Sequence, residues 1–290
     1  GIMNPNSFEE VMELLTTPTV DSQDQQLIVT AMTIAGLRAF DITKFRIMAN
    51  VCRKASFLEV RQRALVGFVF TMGQGMSSLF PEQKAIVEEV LADKSIYSQL
   101  LELQMQLVYC VKASDDSRKV QDEIMPGIVK NSDLQVKNGM IVEVEDNSID
   151  DILGKNDDEQ RAEEVERLMR NLKDLQDSGA DILFGGFSHM KRFPFFNDMA
   201  NWFLPFSTKN KSVREVVEAT GIALPYNSFF QKSGFCDNDC YSFVFVFKEV
   251  IGRMPENIRE MFRNQVSVPD DDSVDTPTHY RRNYLQTMYR

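Results

Sequence analysis

Apolar residues spaced three and four apart recur over the first 130 residues, in long segments that start near residues 23, 58 and 97. That spacing places them on one face of a helix, and no strand can sustain it. In "DQQLIVTAMTIAGLRAF", Leu27, Ala31, Ile34 and Ala35 share one face, with Asp21 or Ser22 placed to cap the start. "ITKFRIMANVCRK" predicts a second helix after a very short turn. "SFLEVRQRALVGFVFTM" offers Ser56 as a cap, followed by Val60, Ala64, Gly67, Phe68 and Thr71 at helical spacing; it begins half polar and ends apolar all round, as a helix wedged between neighbours does. "PEQKAIVEEVLAD", with Pro81 at its first turn, reads as its partner. "SIYSQLLELQMQLVYCV" and "DSRKVQDEIMPGIVK" form a third pair, and Pro126 is expected to kink or end the latter. Paired helices at an interval of roughly 35 to 40 residues predict a stack in which each pair buries its apolar face on the next. The expected fold class is therefore all-α: an α-α superhelix, or solenoid, of antiparallel helix pairs.

Residues 131–160 break the rhythm with turn formers and an acidic run and read as a linker. "MIVEVE" alternates like a strand, but without a visible partner it is not expected to form a sheet. Residues 161–265 predict a second helical lobe with an aromatic core. Its first helix carries Val165, Leu168, Leu172 and Leu175 in one stripe, with Gly179 just past its end. "KSVREVVEATG", "CDNDCYSFVFVFKEVIGRM" and "PENIREMFRNQ" follow; the middle one has strand-favouring residues, but in a helical context it is read as a buried helix. Residues 266–290 read as an acidic connector and the start of a helix, and we expect the native chain to continue beyond Arg290.

Between these lies "FGGFSHMKRFPFFNDMANWFLPF", residues 184–206, which holds seven of the 21 phenylalanines and the only tryptophan. If Pro194 starts a helix, Phe195, Met199, Trp202 and Phe206 fall on one side and Asn197, Asp198 and Asn201 on the other. The expectation is internal packing, with a partner groove as the alternative. Gly185 and Gly186 permit a turn, and neither the dinucleotide nor the Walker phosphate-loop pattern accompanies them. His189, beside Lys191 and Arg192, is a surface or helix-end histidine, or else an acid–base or anion-contacting one.

A formal net charge of −11 argues against extensive phosphate binding, since each phosphate contact calls for a Lys or Arg. One local exception is the basic group Lys44, Arg46, Arg53, Lys54, Arg61 and Arg63, which as a solvated helical face needs no ligand and as an aligned, unpaired set would suit phosphates. Four cysteines in a chain of 290 residues do not suggest a disulfide-built fold, and a reducing, cytoplasmic setting is expected. Cys52 and Cys110 sit in apolar helical patterns. "CDNDC", residues 236–240, lacks the further ligands of a metal site and the Gly and Glu of a calcium loop; Asp237 or Asp239 reads as a helix cap, with pairing of Cys236 and Cys240 under oxidation as the alternative. No cofactor or metal is expected. No run of about 18 apolar residues marks a membrane span, and no nucleophile elbow, zinc-protease or kinase pattern is present.

"SGADILFGGFSHMKRFPFFNDMANWFLPF", with "FCDNDCYSFVFVF" and "NYLQTMYR", resembles a family of large bacterial proteins of unknown activity that carry tetratricopeptide repeats, and "EVRQRALVGFVFTM" is similar to the second helix of a HEAT-type repeat. The resemblance implies a helical-repeat array that continues past Arg290, and it brings no catalytic residues. The function expected is that of a noncatalytic scaffold binding a protein or peptide, with Arg46, Arg53, Arg61, Arg63, His189 and Trp202 as candidate contacts. The alternative is a helical-repeat enzyme or nucleic-acid-processing module that uses the basic residues from Lys44 to Arg63.

Overall fold

The computed structural model describes residues 3–73, 78–131, 134–137, 140–143, 155–177, 181, 191–221, 234–253, 260 and 276–289. Helices build the described body, and the chain divides into two compact units: Gly1–Leu107 with Met190–Arg290, and Val108–His189. Among the described residues no helix is long and apolar enough to cross a membrane.

The first unit begins with α1 (Phe8–Thr16), α2 (Ser22–Arg38), α3 (Ile42–Lys54), α4 (Leu58–Phe70) and α5 (Glu82–Ala92), and the division of the chain falls within α6 (Lys94–Lys119). Asp21 caps α2 by accepting from the Gln23 amide at 2.8 Å, and Asp41 caps α3 through the amides of Thr43 and Lys44. Ser56 does not cap α4. Its hydroxyl donates to the Thr16 carbonyl at 2.6 Å, which ties the loop to the end of α1, and α4 starts from Phe57 with no side-chain cap.

Helix α4 is the centre of this unit, packed against α2, α3 and, from the far end of the chain, α11 (Pro277–Tyr289). Its residues Val60, Ala64, Leu65, Val66 and Phe68 are buried together with Phe45, Ile47 and Met48 of α3. Such burial supplies most of the stabilisation available to a helical body. Phe45 stacks on Phe68 with ring centroids 4.6 Å apart. Where α2 crosses α4, a Cβ on Gly67 would stand 2.3 Å from Thr33 Oγ1, and one on Gly36 would stand 2.5 Å from Thr71 Cγ2, so both glycines are there for close approach. Helix α11 is integral to this packing: Arg281, Tyr284 and Leu285 are buried.

The aromatic run does not form the α-helix that the sequence predicts. Pro194–Asn197 and Met199–Trp202 are two separate 3-10 turns, split at Asp198, whose carboxylate caps the second by accepting from the Ala200 amide. The predicted one-sided stripe is therefore broken, with Phe196 buried and Met199 72% exposed. The backbone gives up helical bonds because side chains take over its carbonyls: Asn201 donates to Phe195 at 2.8 Å, Trp202 Nε1 to Phe196 at 2.7 Å, and the Tyr241 hydroxyl to Pro205 at 2.9 Å. Two further helices follow. In α9 (Lys211–Thr220), Asn210 caps the start and Gly221 takes the left-handed conformation at the end, φ 64°. The "YSFVFVF" segment is helical, inside α10 (Asp237–Arg253), with Tyr241, Val244 and Ile251 buried.

In the second unit α6 runs into a π-helical turn, Val120–Ile124, and then into α7 (Met125–Asn131). Pro126 thus does not end the helix and stands in the first turn of α7, directly after the π-helical turn. It lacks an amide and crowds the carbonyl four residues back, and a wider turn just before it accommodates both defects. "MIVE" does find a partner: β2 (Met140–Glu143) pairs antiparallel with β1 (Leu134–Lys137), with Lys137 opposite Met140. That register leaves Asn138–Gly139 between the strands, the dipeptide most favoured in two-residue hairpins. Helix α8 (Lys155–Asp177) brings Leu168, Leu172 and Leu175 against Val120, Ile124 and Ile128, a small dry seam. The helix expected over 255–265, apart from Glu260, and the connector expected over 266–275 lie outside the described residues, as do Gly179, Gly185 and Gly186.

Candidate partner-binding groove

Helix α2 is turned in an unexpected direction. Its inward face carries Gln25, Gln26, Thr30 and Thr33 with only Val29 and Met32 as large apolar residues, while Leu27, Ile28, Ala31, Ile34 and Leu37 look outward. Three of these buried side chains are bonded at home, although Gln25 Oε1 accepts no bond. Gln25 Nε2 donates to the carbonyls of Leu14 and Thr17 at 2.9 and 2.7 Å, and the Thr30 and Thr33 hydroxyls donate one turn back to Gln26 and Val29, both at 2.9 Å. The outward stripe borders a groove of about 990 Å³ whose opposite wall is Met199, Ala200 and Phe203. Ala31, Ala35 and Ala39 keep the α2 side shallow, and Leu27, Ile28 and Ile34 rise from it, Ile34 37% exposed. Asp41 stands at one end with Arg38; burial pushes its carboxyl up, but the amides of Met3 and Lys44 and the Lys44 ammonium outweigh this and hold it below the ordinary carboxylate range.

Arg63 fixes the far wall. Its guanidinium is buried, donating from Nη1 to Thr30 Oγ1 at 3.2 Å and to the Phe203 carbonyl at 2.9 Å, and from Nη2 to Asp237 at 3.5 Å; the group lies 4.5 Å from the centroid of the Tyr284 ring. Burial pulls it below its ordinary pKa, with Tyr284, Asp237 and Glu59 acting in the opposite direction. Asp237 completes the tie by accepting from the Phe206 amide at 3.0 Å and from Asn283. One side chain of α4 therefore joins α2, the aromatic turns, α10 and α11. A second buried arginine, Arg281, donates to Gln62 at 2.6 Å, to Gln106 at 3.2 Å and to Glu102.

The basic residues singled out in the sequence are dispersed by the fold. Lys44 is buried against Asp41 at 3.4 Å, and Arg53 pairs with Glu89 at 2.8 Å. Arg61 is half-buried, Arg63 is internal, and Arg46 and Lys54 are exposed on α3. Trp202 sits at the edge of the second aromatic turn with Lys191 Nζ 4.4 Å from its ring centroid. His189 lies outside the described residues. Cys52, Cys236 and Cys240 are buried, Cys110 is half-buried, and burial pushes the Cys52 thiol up to about 12. In "CDNDC", Asp239 caps by accepting from the Cys236 amide at 3.2 Å, while Asp237 serves Arg63. Among the described residues no group of three or more His, Cys, Asp or Glu side chains is placed to hold a metal ion.

Missed from the sequence were the outward direction of the α2 stripe and the structural role of Arg63. A signal for the first was present: Thr30, Thr33 and Gly36 at helical spacing mark the side that packs closely against another backbone. Comparison with protein-family models, with curated protein sequences and with solved structures finds no match.

Proposed function

We propose that the protein is a noncatalytic helical-repeat scaffold, built as a solenoid of antiparallel helix pairs, that binds an amphipathic helix of a protein partner along the α2 groove. The observation that carries this reading is the outward apolar stripe of α2, opposed across about 990 Å³ by Met199 and Phe203. A helix that buries glutamine and threonine while presenting leucine and isoleucine has its apolar face left for something else, and helix-in-groove binding uses such a row of small and large residues. The resemblance to repeat-bearing bacterial proteins supports the same class. The nucleic-acid alternative is less well supported, because Lys44, Arg53 and Arg63 are engaged by Asp41, Glu89 and Asp237.

The test is capture of bound proteins from the native cells with the full-length protein, comparing wild type, Ala31→Glu with Ile34→Glu, and Lys84→Glu on the exposed face of α5 as a charge control. A partner retained by wild type and by the control and lost with the double variant supports the reading. Equal recovery in all three overturns it, and DNA binding at low salt that weakens in Arg46→Gln would favour the alternative.

A further inference from the structure

A second concavity lies apart from the α2 groove, where α9 and α10 meet the first aromatic turn. It encloses about 570 Å³, within the range of small-ligand sites. Phe193, Phe195 and Phe245 line it. Phe245 lies 5.3 Å from each of the other two rings and is tilted 51° to one and 54° to the other, so the three present π faces at different angles. The rim carries Glu215, Glu249 and Lys248, and a Cβ on Gly252 would meet nothing within 4 Å, so the mouth is open there.

The protein already places a cation of its own at this edge. The Arg192 guanidinium lies 5.5 Å from the Phe193 ring centroid and 3.5 Å from Glu249, and it is 68% exposed. Glu215 is met in the same loose way by Lys211 at 3.8 Å. Exposed pairs of this kind contribute little and exchange easily, so an incoming cation can replace them while gaining the aromatic floor that Arg192 only borders. Aromatic rings at mutual angles, with carboxylates beside them, attract a cation through both the ring quadrupoles and its charge.

We propose that this pocket binds an organic cation, a guanidinium or ammonium on an apolar stem, with the charge at Glu215 and Glu249 and the stem over Phe193, Phe195 and Phe245. Arg192 acts as an internal competitor. The source of the cation is either a free small molecule or an arginine side chain of a peptide.

The test is isothermal titration of the full chain with butylguanidinium, with butylurea of the same shape and no charge as control, and with an acetyl-Gly-Arg-Gly-amide peptide. Butylguanidinium should bind and butylurea should bind at least about tenfold more weakly; Arg192→Gln should tighten binding by about threefold, and Glu249→Gln and Phe245→Leu should each weaken it by a comparable factor. Tighter binding of the peptide than of butylguanidinium assigns a protein side chain as the source, and the reverse assigns a free cation. Equal binding of butylurea, or no gain in Arg192→Gln, overturns the proposal. Because Arg192 and Glu249 are exposed, those variants keep the test decisive even where Phe245→Leu disturbs packing.

Discussion

The seam of the second unit and the interior of the first both form where helices meet, but they are held by different means. In the second unit Leu168, Leu172 and Leu175 of α8 meet Val120, Ile124 and Ile128, a cluster whose described members are all aliphatic. In the first, the apolar packing of Phe45, Phe68 and Leu65 is accompanied by the buried guanidinium of Arg63, and a second arginine lies buried in α11. A dry seam is tolerant, because each methylene contributes separately and neighbours can repack. A buried charge is unforgiving: with every partner present it is satisfied, and with one absent the remainder is a desolvated, uncompensated group. The contrast predicts that equal-sized truncations will cost unequal amounts in the two places.

Replacement of Arg63 gives the largest expected effect. Arg63→Ala leaves Asp237, the Phe203 carbonyl and Thr30 without their donor and should lower stability by about 3–5 kcal/mol. Urea unfolding followed by Trp202 fluorescence reads it directly, since the indole is bonded to Phe196 within the same run that Arg63 holds. Arg63→Met combined with Asp237→Asn should recover part of the loss by removing both charges. An Arg63→Ala protein as stable as wild type would erase the distinction between the two interiors.

The seam supplies the counterpart. Leu168→Ala should cost about 2–4 kcal/mol, by lost transfer energy and the cavity left beside Ile124 and Ile128. Its signature is faster amide hydrogen exchange along α7 and α8. A smaller loss, about 1–3 kcal/mol, is expected for Gly67→Ala, whose new methyl would press on Thr33 Oγ1 at 2.3 Å and on Met48 Sδ at 2.9 Å, and whose midpoint in urea reports it. A cost for Gly67→Ala above that for Arg63→Ala would mean that close helix approach, and not the guanidinium, governs the first unit.

The same contrast explains what was legible in the sequence. The stripe Leu168, Leu172, Leu175 is a local signal, and the helix it predicts is present as α8 with those residues inward. "SFLEVRQRALVGFVFTM" likewise announces a helix surrounded on all sides, and α4 is one. Arg63 was visible only as one of six nearby basic residues, because its partners Phe203 and Asp237 are 140 and 174 positions away and no periodicity connects them. The aromatic turns failed for a related reason. Phe195, Met199, Trp202 and Phe206 fit a helical stripe, but the backbone carbonyls there are claimed by Asn201, Trp202, Tyr241 and Arg63, two of them from distant segments. The hairpin is the opposite case: its Asn138–Gly139 turn signal is local and readable, and the missing strand was Leu134–Lys137, directly before it.

The outward face of α2 carries the smallest expected stability effect and the sharpest functional one. Ala31 and Ile34 border the groove and are exposed, so replacing both with glutamate removes no buried contact of the kind that Arg63 or Leu168 makes. The change in unfolding free energy should stay within about 0.5 kcal/mol per substitution, as for surface positions generally. Urea midpoints by Trp202 fluorescence measure this, with Val29→Glu on the buried face of the same helix as the comparison, which should lower the midpoint clearly. If the double variant is as damaging as the buried one, the outward stripe is part of the core and the groove has no vacancy for a partner. If it is silent in stability and abolishes capture of the partner, the apolar residues of α2 are divided by face, with Val29 and Met32 holding the fold and Ala31 and Ile34 serving recognition.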